Sequence, residues 1–398
     1  VPIASADGAW LTDFEGKRYL DAVSSWWTNL FGHNHPRLKA AISRQLDTLD
    51  HVMLAGFTHA PAVELAEALV AVAPTGLQHV MYASDGASAT EIALKMAVHY
   101  HALGGTSTKT HTLSLQGAYH GETVGALAVT DVPLFRAAYA ALLKTQRFVA
   151  NPAVVGTEAA IAELGSVLAC DGEQIAAFIV EPLVQGANAM AMYPPEYLRR
   201  SFALCKQHNI LFIADEIMTG FGRTGTLFAC EQAGITPDLM CLSKGITGGT
   251  LPLSCVLTTA GVFDAFYSED LTRGFLHSHS YTGNPLACAA AREVLRLFAE
   301  DDVISRNAAL GSRLNACADS LAGHANVLHH RRCGMIWAFD VATQRKDFAR
   351  AAFARALQLG VLLRPIGNTL YWMPPYCLSV QDGEQLADVT ARVISEVA

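Results

Sequence analysis

Charge is scarce in this chain of 398 residues. Asp, Glu, Lys and Arg make up 16% of it, and acids outnumber bases 36 to 28, for a net charge of −8. Without a basic excess, neither nucleic acid nor an anionic membrane surface is expected as a partner. No apolar run approaches the roughly 18 residues of a membrane span. No basic-then-apolar leader opens the chain at Val1. The nine cysteines include no C-x-x-C pair, and their number is odd. Free thiols in a reducing, cytoplasmic compartment are therefore expected, rather than a disulfide framework. Repeats, low-complexity tracts and charged tails are also missing. What remains is 51% apolar, enough to bury a large core in one large domain and a smaller one.

Two further patterns are incomplete. The histidine pairs His33/His35, His99/His101 and His277/His279 lack Cys or carboxylate partners at metal spacing, and H-E-x-x-H does not occur. No metal is expected. Gly220-Phe221-Gly222-Arg223-Thr224-Gly225 matches G-x-G-x-x-G. A dinucleotide fingerprint sits directly between a first strand and its helix, whereas here Glu216-Ile217-Met218-Thr219 intervenes after a strand. An NAD-dependent oxidoreductase is the alternative that this segment would support.

Short apolar runs do alternate with amphipathic stretches. Strands are predicted over His79–Ser84, His111–Gln116, Ile175–Glu181, Ile210–Asp215, Leu239–Ser243 and Ser254–Thr258, with helices such as Ser88–Leu103 and Pro195–His208 between them. That alternation implies an α/β fold with a mostly parallel sheet covered on both faces. Ligands bind at the carboxyl ends of such strands, where Glu181, Asp215 and Lys244 fall. From about residue 295, Ala- and Arg-rich helices (Ser305–Leu321, Arg345–Leu359) flank short strands near Met335–Val341 and Val361–Pro365. This reads as a second, α+β domain. The first 35 or so residues, with a hairpin turn near Asp13–Gly16, could join it.

The chemistry centres on Lys244, between Met240-Cys241-Leu242-Ser243 and Gly245-Ile246-Thr247-Gly248-Gly249. Asp215 ends the apolar run before it. An amine that can form a Schiff base and a carboxylate that can pair with a pyridinium nitrogen are what pyridoxal phosphate chemistry requires. Displaced by a substrate amine, Lys244 would also serve as acid and base. The bland alternatives are a helix-capping Asp and a surface Lys. Ser84-Asp85-Gly86-Ala87-Ser88 runs from a strand through a glycine turn into a helix, a start that offers N–H groups to a phosphate or is simply capped. Tyr119 either stacks on a pyridine ring or is buried in the core. His120 reads as its structural neighbour. Of Trp26 and Trp27, one is expected to line a surface or pocket. Arg364 ends an apolar strand and needs a carboxylate, from a substrate or from the protein.

Together these motifs resemble the class III aminotransferases, over nearly the whole chain. The resemblance is carried by Asp215-Glu216-Ile217 with Gly220–Gly225, by Ser243-Lys244-Gly245, and by Thr282-Gly283-Asn284-Pro285-Leu286-Ala287-Cys288. Further marks are Ser24-Ser25-Trp26-Trp27, His51-Val52-Met53, Thr58-His59-Ala60-Pro61, Tyr119-His120-Gly121-Glu122-Thr123, Leu363-Arg364-Pro365 and Tyr371-Trp372-Met373-Pro374-Pro375-Tyr376. They resemble the branch that carries the amino group of S-adenosylmethionine to 8-amino-7-oxononanoate in biotin biosynthesis. An ω-amino acid or diamine aminotransferase is the alternative within the class.

The resemblance implies a fold-type I homodimer with its active sites at the subunit interface. A seven-stranded, mostly parallel sheet would form a large domain (residues 36–294). Residues 1–35 and 295–398 would form the small one. It implies pyridoxal 5'-phosphate on Lys244, with Asp215 on the pyridine nitrogen and Gly86 and Ala87 amides on the phosphate. His279 and Ser280 would reach that phosphate from the other subunit. Tyr119 would contact cofactor and substrate. Trp26, Trp27 and Ser278 would lie against substrate, and Arg364 would clamp the acceptor's carboxylate. The chain departs from well-known members at Gly86-Ala87, where they carry Gly-Ser, and at His277-Ser278-His279-Ser280, where they carry His-Gly-Pro-Thr.

Overall fold

The computed structural model describes residues 1–144 and 146–398. Its strands are β1 (Ile3–Asp7), β2 (Trp10–Asp13), β3 (Arg18–Asp21), β4 (Leu77–Ala83), β5 (His111–Leu115), β6 (Arg147–Val149), β7 (Ile175–Val180), β8 (Val184–Gln185), β9 (Ala191–Met192), β10 (Leu211–Asp215), β11 (Leu239–Leu242), β12 (Ser254–Thr259), β13 (Val327–Cys333), β14 (Ile336–Val341), β15 (Val361–Leu362) and β16 (Thr369–Trp372). The central sheet has seven strands in the order β4-β12-β11-β10-β7-β5-β6. Only β12 runs against the others, pairing antiparallel with both β11 and β4. The mostly parallel sheet expected from the alternating pattern is therefore present. β7, reading Ile-Ala-Ala-Phe-Ile-Val, is buried at every position, because helices cover both faces and no strand residue can point to water.

The six predicted strands of this sheet agree with the observed ones to within two residues at either end. The seventh, β6, is only three residues long and carries too little pattern to be read. In the second half, β13 and β16 were not predicted. β13 is Val-Leu-His-His-Arg-Arg-Cys with no residue fully buried, so it shows no apolar alternation. β13, β14 and β16 form an antiparallel sheet.

A third sheet joins distant parts of the chain. β1, β2 and β3 form a meander, with the predicted turn at Asp13–Gly16 between β2 and β3. There the Asp13 carboxylate accepts the N–H groups of Glu15 and Lys17. β15 then adds alongside β3 in parallel, with Leu362 opposite Asp21. The chain's first residues and its last hundred thus share one sheet.

The Gly220–Gly225 segment is not the start of a helix. It is a buried turn whose backbone meets the β13–β14 hairpin: Met335 N–H donates to Arg223 O. Gly334, at φ +55°, lies so close that an added Cβ would come within 2.3 Å of Thr224 C and 2.4 Å of Gly225 N. Both surfaces are backbone and neither can yield. Gly334→Ala is expected to cost about 3 kcal/mol or more, combining overpacking with a left-handed backbone. A urea melt of the purified variant checks this; a loss under about 1 kcal/mol would mean the hairpin and turn separate freely.

Candidate active site

Six of the seven central strands point their carboxyl ends at one edge, and the polar residues gather there. Asp215 ends β10, Glu181 follows β7, and Lys244 stands two residues past β11. Past β4 begins the Gly86–Leu103 helix, and past β5 comes Tyr119. Together they line a cavity of about 480 Å³ that also includes Trp27, Gly86, Ala87, His120 and Ile217. A second cavity of about 550 Å³ is lined by Trp26, Trp27, Tyr119, Arg364 and Tyr371, with Glu122 and Lys244. Trp27, Tyr119, Glu122 and Lys244 belong to both. The two spaces are therefore an inner and an outer chamber that meet at the lysine.

The inner chamber is acidic, with Glu122, Glu181 and Asp215 in its wall. Burial pushes the Lys244 amine below its ordinary pKa, and the charges of Asp215 and Glu181 partly oppose this. An amine so placed is more often neutral, hence nucleophilic, at neutral pH. Its Nζ lies 4.7 Å from the centroid of the Trp27 ring. Asp215 is buried and accepts a 2.6 Å hydrogen bond from His120 Nδ1. His120, expected only as a structural neighbour of Tyr119, thus bonds the site's own carboxylate and lines the chamber, with its hydrogen on Nδ1. Glu181 accepts the N–H groups of Tyr119 and Gly186, each at 3.0 Å. Burial raises its pKa to about 7, with Asp215 adding to the rise and His120 opposing it.

At the start of the Gly86–Leu103 helix, the Asp85 side chain takes up one of the orphan N–H groups, that of Ser88, while its carbonyl accepts the first helical bond, from Ala89. Among the described residues, nothing accepts from Gly86 or Ala87, and both line the inner chamber. Two free amides at the positive end of an 18-residue helix fit a phosphate. A carboxylate and an amine also face this space, so the donor set matches pyridoxal phosphate.

The outer chamber depends on an unusual turn. Ser24, Ser25, Trp26 and Trp27 all have positive φ, at +50°, +45°, +72° and +73°. This left-handed turn parts the two tryptophans. Trp27 is 5% exposed and donates its Nε1–H to Tyr371 Oη at 3.0 Å. Trp26 is 55% exposed, with the Arg364 guanidinium 4.1 Å above its ring. Among the described residues no carboxylate pairs with Arg364, whose guanidinium rests against the Trp26 ring. Tyr119 Oη donates to Glu122 at 2.9 Å, and burial, then Glu122, raises the pKa of its phenol.

Not every candidate converges. Ser278 and Ser280 are exposed, and His279 Nε2 lies 3.0 Å from Ser84 Oγ of the same chain. None of the three lines either chamber. Glu122, Tyr371 and the fully buried Arg223, which donates to the carbonyls of Trp27, Asn29 and Pro374, had not been singled out individually. Glu122 was visible only as part of a Tyr-His-Gly-Glu run. Arg223 had a better signal, an arginine inside a glycine turn within an apolar stretch.

The raised Glu181 pKa has a measurable consequence. Between its unfolded value near 4.5 and its folded value of about 7, the folded protein holds the extra proton. Its stabilising contribution is thus complete below the unfolded pKa and is lost as pH rises through the folded one. In cofactor-free protein, melting temperature should fall from pH 5 to pH 7.5 by an amount equivalent to roughly 2 kcal/mol. Glu181→Gln should flatten that slope. An unchanged slope in the variant would assign the effect to another group.

Comparison with known proteins agrees with this geometry. The family model for class-III aminotransferases matches residues 1–394. A Helicobacter pylori protein named adenosylmethionine-8-amino-7-oxononanoate aminotransferase is 42% identical, over 100% of this chain and 92% of its own. A Synechococcus elongatus protein of the same name is 42% identical, over 100% of this chain and 95% of its own. Among solved structures, the enzyme of that name from Methanocaldococcus jannaschii superposes with a TM-score of 0.96 at 33% identity, covering 100% of this chain and 93% of its own. A PLP-bound amine transaminase from an uncultivated Pseudomonas reaches 0.95 at 32%, covering 100% and 95%. With its sequence matched almost end to end and its fold superposed along the whole length, this chain belongs to the class-III aminotransferases.

Proposed function

We propose that this enzyme transfers the amino group of S-adenosylmethionine to 8-amino-7-oxononanoate, giving 7,8-diaminononanoate, a step of biotin biosynthesis. The observation that carries the reading is the pair of chambers meeting at Lys244, one fitted to pyridoxal phosphate and one apolar with a free guanidinium at its mouth. Full-length likeness to relatives of that name supports it.

When bound, pyridoxal phosphate supplies the carbonyl that takes the amino group from the donor and yields it to the acceptor, and a ring that accepts an electron pair. The protein's own residues do the rest. Gly86 and Ala87 hold the phosphate through their amides. Asp215, oriented by His120, holds a proton at the pyridine nitrogen. Lys244 Nζ would hold the cofactor covalently, and its amine would carry the proton taken from the donor's Cα. Tyr119 forms a wall for cofactor and substrate. Trp26 and Trp27 enclose the acceptor's aliphatic chain, and Arg364 binds its carboxylate. One pocket serves both substrates in turn, which requires ping-pong kinetics.

The catalytic unit proposed is a homodimer. Support comes from large apolar residues left exposed in the single chain, Met53, Phe57, Leu271, Leu276 and Tyr281 among them. In that dimer His279 and Ser280 reach the partner's phosphate site, and Ser278 lies beside its substrate. Residues 36–294 are read as the cofactor-binding domain, with 1–35 and 295–398 as the second. No helix among the described residues is long and apolar enough to cross a membrane. Nine free cysteines favour the reducing cytoplasm.

Absorbance of the pyridoxal phosphate-loaded protein tests the reading. S-adenosylmethionine should bleach the band of the lysine-bound cofactor, and 8-amino-7-oxononanoate should restore it. Bleaching by ω-amines but not by S-adenosylmethionine would instead identify an amine transaminase. Lys244→Ala should abolish turnover while still binding the cofactor non-covalently. Arg364→Ala should lower acceptor kcat/KM by about 30- to 100-fold, the scale of a lost bidentate ion pair, and affect the donor half-reaction much less. Equal losses in both half-reactions would remove its assigned role.

A further inference from the structure

The outer chamber contains a support that the assigned roles do not use. β3 and β15 are neighbouring parallel strands with Asp21 opposite Leu362. β3 leads at once into the Ser24–Trp27 turn, and β15 leads into Leu363-Arg364. Trp26 and Arg364 therefore leave the same edge of one sheet and meet, with Arg364 Cζ 4.1 Å from the centre of the Trp26 ring. A guanidinium held over an aromatic ring by cation–π attraction still has N–H donors to offer a carboxylate.

The turn that presents Trp26 is not one the chain adopts freely, since a left-handed residue with a side chain costs about 1–2 kcal/mol. Asp21 holds it. The Asp21 side chain is fully buried. Its Oδ1 accepts the N–H groups of Val23 at 3.2 Å and Ser25 at 3.0 Å. Its Oδ2 accepts from Ser25 Oγ at 2.7 Å and His33 Nε2 at 2.9 Å. Asn29 Nδ2 donates to the other His33 nitrogen at 3.1 Å, which leaves the ring hydrogen on Nε2, facing Asp21.

We propose that Asp21 is a positioning residue for substrate carboxylate: it locks the left-handed turn that supplies Trp26 as the platform on which Arg364 is held open. The inference rests on reading Arg364 as the acceptor's carboxylate site. It adds a specificity determinant that touches neither substrate nor cofactor.

Asp21→Asn is the test. The amide keeps an oxygen for the two backbone N–H groups but turns a donor toward the donor His33 Nε2. His33 can exchange tautomers only if the Asn29 amide also turns over to present its Oδ1, and the acceptor for Ser25 Oγ is lost in either case. Kinetics of the pyridoxal phosphate-loaded enzyme are compared for 8-amino-7-oxononanoate and its methyl ester. Wild type should prefer the acid. Asp21→Asn should raise the KM of the acid about tenfold, the size of one lost charge-assisted contact, with kcat held within about twofold. The KM of the ester should not move. In an Arg364→Ala background, Asp21→Asn should add nothing.

A parallel rise for the ester, or full additivity with Arg364→Ala, would mean general distortion and overturns the proposal. If Asp21→Asn does not fold, Ser25→Ala removes only the Oγ–Oδ2 bond. It must give the same acid-selective rise at smaller size, and its absence overturns the proposal too. Wild-type enzyme that fails to distinguish acid from ester overturns the reading of Arg364 itself, and Asp21's role falls with it.

Discussion

Lys244 must be an amine that reacts, and an amine in water at neutral pH is almost wholly protonated. Burial answers this by penalising the charged form, and two carboxylates limit how far the shift goes. The balance needs three groups from three strands at one depth. Only the aligned carboxyl ends of β7, β10 and β11 provide that, because parallel neighbours end together. The antiparallel β12 contributes no residue to the inner chamber from its own carboxyl end, which lies at the opposite edge. The direction of the strands thus decides which residues are available to the chemistry.

The small sheet repeats the arrangement for recognition. β3 and β15 also run in parallel and end together, so the aromatic turn and the arginine emerge side by side although they lie far apart in sequence. The buried Arg223 then binds the turn to the body of the protein, donating to Trp27 O and Pro374 O. A cation without a carboxylate partner is costly to bury; here three carbonyls and the face of Tyr376, 5.0 Å from its Cζ, surround it. The glycine-rich segment that imitates a nucleotide loop is the frame for this clamp.

The inner chamber was largely legible in the sequence, because its residues sit at the ends of strongly apolar runs. Asp215 closes Leu-Phe-Ile-Ala, and Lys244 follows Leu-Met-Cys-Leu, so a strand prediction carries each residue to the same edge. The Gly86 helix start was legible for the same reason. The outer chamber was less so. One of the two tryptophans was expected at a surface or pocket; Trp26 is exposed and Trp27 buried, parted by left-handed backbone. Nothing in Asp-Ala-Val-Ser-Ser-Trp-Trp marks that geometry. The weak strands β6, β13 and β16 escaped because they are short or partly exposed. Residues 277–280 were understood only through resemblance, and their surroundings in a single chain do not reach either chamber.

Backbone strain follows the same division. Twelve non-glycine residues among those described have positive φ. Three of them, Asn34, Asn209 and Asp302, are of the types that tolerate it. The other nine are Ser24, Ser25, Trp26, Trp27, Leu183, Ala189, Met190, Phe221 and Lys244. These nine lie in or beside the two chambers: Leu183–Met190 brackets the hairpin whose Gly186 touches Trp27, and Phe221 packs on Gly245, next to the lysine. Strained residues persist only where their surroundings over-determine them, and the anchors are visible. Asp21 accepts from the N–H and Oγ–H of Ser25, Arg223 fixes the carbonyl of Trp27, and Arg331 donates to the carbonyls of both Ala189 and Met190. Each anchor is a charged group spent on main-chain atoms rather than on a salt bridge alone. A chain with so few charges places several of them where the backbone would otherwise relax away from the geometry that the chemistry requires.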